Sequence, residues 1–378
     1  MIIGIDASRA GTKQKTGTEY YSYEIIKSLL EIDKTNHYIL YSKNRLEGEL
    51  ANLPKNAVNK ILKFPRLWSQ IRLSSEMIKN PPDVLFVSAH TIPIRHPKNT
   101  VVTIHDVGFR QFPDLYTPLE RYYHNFSMKF SVRYAKKIIA ISNATKRDLI
   151  KIYNADESKM TVIYHGYDKN KYFVEKNFDE QKYKDQLKYA PYLFFIGRLE
   201  AKKNIVNLVK AYAMLRKEPK NHHKLVLAGR PGYRYEDIKT QIDNLPENIR
   251  TDVIELGYVP DEDAAKYLRG ADILVFPSKF EGFGMPLVEA MASGVPVVAS
   301  NTTSIPEVVE DAGILCNPDK PFDFAAACSK IINSKLARDN LVAKGLKRAK
   351  DFSWTDAAKK TLKVIESAYS STKEPPIF

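Results

Sequence analysis

An α/β architecture of two doubly wound domains is the fold class this sequence predicts, and three observations carry it. Short apolar runs alternate with longer stretches of helical periodicity along the whole chain. The rhythm falls into two blocks, separated by a polar, Lys-rich stretch at 169–190 that has no strand pattern. At 378 residues the chain is long enough for each block to bury a core of its own.

In the first block the apolar runs lie at 2–6 (IIGID), 38–42 (YILYS), 60–64, 83–87 (DVLFV), 101–104 (VVTI), 138–141 (IIAI) and 161–164 (TVIY). They are rich in Val, Ile, Tyr and Phe, as buried strands require. Helical patterns intervene at 18–31 and 142–153, the second with Ser142 or Asn143 as its cap. The second block runs 192–196 (YLFFI), 224–228 (KLVLA), 253–256 (VIEL), 272–276 (DILVF), 296–299 (PVVA) and 313–316 (GILC). Nearly every run meets a Gly or Pro, the mark of a tight turn at a strand end. Strands alternating with helices imply parallel sheets covered on both faces. In such folds ligands bind outside the carboxyl ends of the strands, so a cleft between two such domains is the expected place. Residues 371–378 (STKEPPIF) read as a tail.

Composition narrows the function classes. Apolar residues make up 44% and charged residues 27%, which excludes a disordered or fibrous chain. Cys316 and Cys328 are the only cysteines, too few for a disulfide scaffold and too far apart for a C-x-x-C motif. The first residues lack a signal-peptide pattern, and no run of about 18 apolar residues occurs, so the cytosol is the expected compartment. A formal charge of +14 points to an acidic partner. Residues 1–173 hold 27 Lys and Arg against 16 Asp and Glu, whereas 174–354 hold 27 against 25, so the excess sits in the first block. Two basic stretches interleaved with apolar and aromatic residues stand out there, 58–73 (VNKILKFPRLWSQIRL) and 120–137 (ERYYHNFSMKFSVRYAKK). They suit either ordinary domain helices with solvated faces or peripheral contact with an anionic membrane. No recognition motif accompanies the charge, so nucleic acid is not an expected partner.

Chemistry concentrates in 277–299 (PSKFEGFGMPLVEAMASGVPVVA). A strand ends at Pro277, a loop carries Glu281-Gly282-Phe283-Gly284, and a helix follows from about Pro286. Amides from Gly284 to Leu287 at the positive end of a helix dipole make a phosphate site. Glu289, expected in the first turn, is placed to accept the two hydroxyls of a ribose. The plain alternative is a surface loop and an amphipathic helix. A second segment, 192–205 (YLFFIGRLEAKKNI), brings Arg198 to a strand's carboxyl end and Lys203 five residues later. A guanidinium fork and a compact ammonium can clamp a diphosphate from one side, or be ordinary solvated residues. Lys202 is the neighbouring alternative for Lys203. His105 ends the 101–104 run, and its side chain titrates near neutrality, which suits proton handling or a structural role. Asp261-Glu262-Asp263 follows Pro260 and reads as a helix N-terminus rather than a metal-holding D-x-D. No G-x-G-x-x-G, Walker loop or zinc spacing occurs, and no metal is expected.

Taken together, G-R-L-x-x-x-K-N at 197–204 and E-G-F-G-x-P-x-x-E-A-x-A-x-G-x-P-V-V from Glu281 resemble the donor half of the retaining family 4 glycosyltransferases, of GT-B fold. The first half fits as well. Thr16-Gly17-Thr18-Glu19 resembles the glycine loop after the first strand, with one Gly where the family often has a pair. Val102-Thr103-Ile104-His105-Asp106 is similar to a His-Asp strand end, and Ile141-Ser142-Asn143 to a helix start.

The resemblance implies two Rossmann-like domains facing a cleft: an acceptor-binding domain over 1–173, a donor-binding domain over 174–354, and a cross-over helix and tail over 355–378 packing on the first. In that last segment Thr355 is the expected cap and Ala358, Leu362 and Ile365 the apolar face. It implies that Arg198 and Lys203 bind the donor pyrophosphate and stabilise the leaving nucleotide diphosphate, and that Glu281 holds the sugar near its 3-hydroxyl. Phe283, Gly284, Met285 and Leu287 complete the cradle with their amides, and Glu289 takes the ribose. Tyr258 and Val259, after Gly257, read the base, while Gly17 and Gly229 border the donor; the role of Arg230 stays open. His105 touches the donor sugar or the acceptor hydroxyl, and Asp106 orients it or meets the acceptor. The implied catalytic set is Glu281, His105, Arg198 and Lys203.

The expected activity is retaining, metal-independent transfer of a hexose from a nucleotide diphosphate sugar to a glycan or lipid-linked acceptor in surface polysaccharide assembly, at the inner face of the cell membrane. GDP-mannose is the first donor expectation and a UDP-sugar the second, with no further cofactor. Two other classes share these motifs: a nucleotide-sugar epimerase of the same fold, which needs no acceptor, and a non-catalytic nucleotide-sugar binding protein.

Overall fold

The computed structural model describes residues 1–12, 17–174, 188–219 and 221–370. The chain forms two compact units, Met1–Gly166 joined by the residues from Ser353 onward, and Tyr167–Phe352.

The first unit is built on seven parallel strands, β1 (Ile2–Asp6), β2 (His37–Ser42), β3 (Ala57–Ile61), β4 (Val84–Val87), β5 (Thr100–Ile104), β6 (Lys137–Ala140) and β7 (Met160–Val162). Their order is β3-β2-β1-β4-β5-β6-β7. Every residue of β4 and β5 is buried, because helices cover both faces of a parallel sheet. At the sheet edge β3 is half-polar and begins three residues before the expected 60–64, paired from Tyr38–Ala57. The Gly17–Ile32 helix buries Tyr21, Ile25, Ile26, Leu29 and Leu30. Ser142 rather than Asn143 caps the Asn143–Tyr153 helix, its hydroxyl accepting from the Thr145 amide at 3.0 Å.

The last helix, Trp354–Ser370, belongs to this unit and packs on Gly17–Ile32. Ala357, Ala358, Thr361, Val364, Ile365 and Ala368 form its buried stripe, with Leu362 only half-buried. Ser353 caps it instead of Thr355, its hydroxyl accepting from the Asp356 amide at 3.3 Å. The chain leaves and re-enters the unit side by side: a Cβ on Gly166 would collide with the Trp354 amide nitrogen.

The second unit repeats the winding with six parallel strands, β8 (Tyr192–Ile196), β9 (Lys224–Ala228), β10 (Val253–Gly257), β11 (Ile273–Phe276), β12 (Val297–Ser300) and β13 (Gly313–Cys316). Their order is β10-β9-β8-β11-β12-β13. It starts at Tyr167, before the expected 174, because the segment ahead of Val174 is held there. Arg269 Nη1 donates to the Lys171 carbonyl at 2.6 Å, and its guanidinium lies over the Phe173 ring. It ends at Phe352, two residues before the expected 354. Cys316 and Cys328 are buried free thiols. Thr16, part of the 169–190 seam (175–187) and the tail 371–378 lie outside the described residues.

Candidate functional site

Strand order in the second unit reverses between β8 and β11, so the loops after these strands diverge and leave a crevice at their carboxyl ends. The loop after β8 carries Arg198 and Lys203; the loop after β11 carries Glu281. Lys203 Nζ lies 2.5 Å from Glu281 Oε1, with the side chains only 15% and 12% exposed. The Lys203 ammonium also sits 5.4 Å from the centre of the Phe276 ring. Lys202 points elsewhere, to Glu200 at 3.4 Å. Asn204 holds this loop in place, its amide donating to the carbonyls of Pro277 and Pro318 at 3.1 and 2.7 Å. Arg198 is exposed, and its stem crosses Gly232 so closely that a Cβ there would meet Arg198 Cγ and Cδ at 2.9 Å.

The Glu281 loop is tied down by a turn that sequence reasoning overlooked. The Glu281 amide donates to Thr303 Oγ1 at 3.1 Å, and the Ser304 hydroxyl donates to the carbonyls of Glu281 and Phe283, both at 3.0 Å. The polar cluster Asn301–Ser304 directly after the 296–299 run was the available signal. Phe283 is buried edge-on to Phe352, 5.7 Å between ring centres. Gly284 has φ 101° and stands as N-cap of the Met285–Ala292 helix, one residue earlier than expected. Two expectations change with that start. The Leu287 amide already donates to the Gly284 carbonyl at 3.0 Å, which leaves the anion-binding part to amides ahead of it. Glu289 falls in the second turn, not the first.

Glu289 is nonetheless the most perturbed carboxyl of this region. Burial pushes its pKa up to about 8, and the charge of Asp261 adds to the shift. Lys171 and a hydrogen bond from the Tyr172 hydroxyl oppose it. Tyr172 was also missed from sequence, since a Lys-rich linker gave no sign that it would fold back onto this helix.

At the ends of β9 and β10, the Gly229 amide donates to the Gly257 carbonyl at 2.7 Å. A Cβ on Gly229 would collide with the Gly197 carbonyl oxygen, so this crossing of strand ends admits only glycine. Tyr258 is 52% exposed and carries the Arg230 guanidinium 4.5 Å over its ring, which gives Arg230 a place beside the expected base-reading residues. Val259 follows, half-buried. Asp261, Glu262 and Asp263 form the first turn of the Asp261–Arg269 helix.

In the first unit His105 directly follows β5, 4% exposed, and its Nε2 lies 3.0 Å from the Ser88 carbonyl. A carbonyl only accepts, so Nε2 carries the proton. Burial lowers the His105 pKa, and the ring packs edge-on to Tyr21 at 4.7 Å and beside His90 and His165 at 5.1 and 5.8 Å. Asp106 Oδ1 accepts from the Gly108 amide at 2.8 Å, which opens the next helical turn. Gly17 is the first residue of its helix rather than part of a loop, with open space where a Cβ would stand.

An ammonium beside a helix N-terminus at the ends of β8 and β11, with an exposed guanidinium on the same loop, is an arrangement suited to anions. Comparison with known proteins gives the family and the fold. Residues 16–171 match the family model described as "Glycosyltransferase Family 4", and residues 175–348 the one described as "Glycosyl transferases group 1". The O-antigen chain mannosyltransferase B of Escherichia coli is 29% identical over 365 residues, 92% of this chain and 95% of that protein. A D-inositol 3-phosphate glycosyltransferase of Corynebacterium kroppenstedtii is 31% identical over 185 residues, 48% of this chain and 41% of that protein. Among solved structures, a sucrose-phosphate synthase from Thermosynechococcus elongatus superposes with TM-score 0.77 over 98% of this chain and 99% of that one, at 17% identity. Anabaena HepE in complex with UDP-glucose gives 0.74 over 97% and 99%, at 19% identity. These two show the shared GT-B fold.

Proposed function

We propose, from the premise that this chain belongs to the glycosyltransferases that join a family 4 half to a group 1 half, that it moves mannose from GDP-mannose to a lipid-linked glycan with retention and without a metal. The observation that carries the reading is the Lys203–Glu281 pair at the β8/β11 crevice, beside the Gly284 helix start. The full-length likeness to an O-antigen mannosyltransferase favours mannose.

The geometry suggests how the residues would share the work. An incoming diphosphate competes with Glu281 for the Lys203 ammonium and pairs with Arg198, while the helix dipole adds positive potential. Glu281, relieved of its partner, becomes an acceptor for sugar hydroxyls. As the bond from C1 to the phosphate oxygen breaks, the acceptor oxygen forms its bond to C1 on the same face. Its proton passes to the departing phosphate oxygen, whose charge Arg198 and Lys203 hold. Glu289 would take the ribose, and Tyr258 with Arg230 would border the base. His105, neutral and donating from Nε2 to Ser88, is not suited to collecting a proton at that nitrogen.

A UDP-sugar is the second reading, favoured by the fold shared with a protein solved in complex with UDP-glucose. A thermal melt separates the two. At roughly a hundredfold excess over Kd, GDP-mannose is expected to raise the midpoint by about 5–10 °C, and UDP-glucose by much less. A larger shift with UDP-glucose transfers the assignment to the second reading; no shift with either rejects both.

A further inference from the structure

A cavity of about 780 Å³ opens in the first unit between the loops that follow β1 and β2, with Leu67, Trp68 and Tyr123 in its wall. Pockets for small ligands are commonly of this size. None of the residues expected to meet donor or acceptor is among the described residues that line it. Its charge is lopsided: Arg9, Lys43 and Arg45 stand against one carboxylate, Glu47, among those residues. Arg9 is held in place, its Nη1 2.9 Å from Glu19 Oε1, a carboxylate only 11% exposed. Lys43 and Arg45 are exposed and, among the described residues, take part in no ion pair. One anchored guanidinium fork beside two uncommitted cations suits a phosphate.

The wall is held in a strained shape. Leu67 has φ 51°, a left-handed conformation that such a side chain rarely adopts, yet it stands 56% exposed. Trp68 beside it is buried, and its Nε1 donates to the Leu62 carbonyl at 2.6 Å, which fixes the loop from behind. Strain spent on an exposed apolar side chain at a cavity rim adds nothing to the core and marks a surface shaped for a ligand. The cavity lies on the same edge of the parallel sheet as His105. Arg9 links the two places: after burial, its charge is among the influences that lower the pKa values of His90, His105 and His124.

We propose that this cavity is a second anion site, which seats the phosphate of a phosphorylated sugar on Arg9, Lys43 and Arg45, with the sugar against Leu67 and Tyr123. Two sources share that chemistry: a free sugar phosphate, and the diphosphate that ties a glycan to a lipid carrier. That the bound group then accepts the transferred sugar rests on the function proposed above. The binding itself does not, and it is measured without any transfer.

Isothermal titration of the full chain tests the site with mannose, mannose 1-phosphate, and mannosyl diphosphate carrying a short isoprenoid chain. Wild type is expected to bind both phosphates and not mannose, with an affinity that falls as salt rises. The tighter of the two phosphates identifies the source. The double variant Lys43→Gln, Arg45→Gln should bind them about tenfold more weakly or worse, with an unchanged melting temperature and an unchanged affinity for GDP-mannose. Lys203→Gln should do the reverse, losing GDP-mannose and keeping the sugar phosphates. No binding of either phosphate, mannose binding as tightly as its 1-phosphate, or undiminished binding by Lys43→Gln, Arg45→Gln overturns the proposal. So does loss of the sugar phosphates in Lys203→Gln alone, because the probes would then occupy the donor crevice. A wild type that binds the sugar phosphates but not GDP-mannose overturns the donor reading and leaves this site standing.

Discussion

Glu281 and Glu289 lie on one loop-and-helix segment yet meet opposite surroundings. Glu281 faces the Lys203 ammonium, whereas Glu289 faces burial and the carboxylate of Asp261. A carboxyl whose pKa is raised on folding binds a proton in the folded state where the unfolded chain has lost it. For Glu289 that window runs from 4.5, its ordinary value, to about 8. Folding takes up a proton there, so this residue's contribution to stability falls as pH rises through the window and is level above it. Glu289→Gln abolishes that contribution. Urea midpoints of wild type and Glu289→Gln, compared from pH 5 to pH 8, are expected to diverge in favour of the variant as pH rises. Parallel curves would mean that the carboxyl ionises normally.

At the scale of elements, legibility followed burial. β4, β8 and β11 are apolar throughout because both sheet faces are covered, and such runs can be read directly from sequence. The edge strand β3 has two apolar residues, Ala57 and Val58, followed by the polar Asn59 and Lys60, so the apolar pair Ile61-Leu62 drew the expectation past its start. The site was legible where a residue type is required by local chemistry, as at Gly284, Lys203 and Glu281. It was illegible where the contact is made across the fold, as with Tyr172, Thr303 and Ser304. Two glycines turn this into a measurement. Gly284 has φ 101° and a Cβ there would meet Leu287 Cδ1 at 2.8 Å, so Gly284→Ala should cost about 1–3 kcal/mol. Gly17 opens a helix with nothing within 4 Å of a Cβ, so Gly17→Ala should be neutral or stabilise by up to about 1 kcal/mol. Urea unfolding of both variants reads the contrast, and equal costs would remove the strain assigned to Gly284.

For the whole molecule, the decisive feature is that the first unit is discontinuous. Its sheet is complete by β7, yet the helix that covers Gly17–Ile32 arrives only after the entire second unit has been traversed. Ile365 is fully buried on that helix's inner stripe, in line with Ala358, Thr361 and Ala368. Truncating it leaves a cavity in the first unit alone, so Ile365→Ala should cost about 2–5 kcal/mol there. The second unit builds its own core on the sheet β8 to β13. Amide hydrogen exchange can tell the units apart, because local openings are read segment by segment. In Ile365→Ala, protection should fall across the strands β1, β4 and β5, while β8, β9 and β11 keep theirs. Equal losses in both sets would mean that the two units unfold as a single cooperative block. The contrasting outcome would show that the returning helix stabilises the unit carrying His105 and Asp106 independently of the unit carrying Lys203 and Glu281.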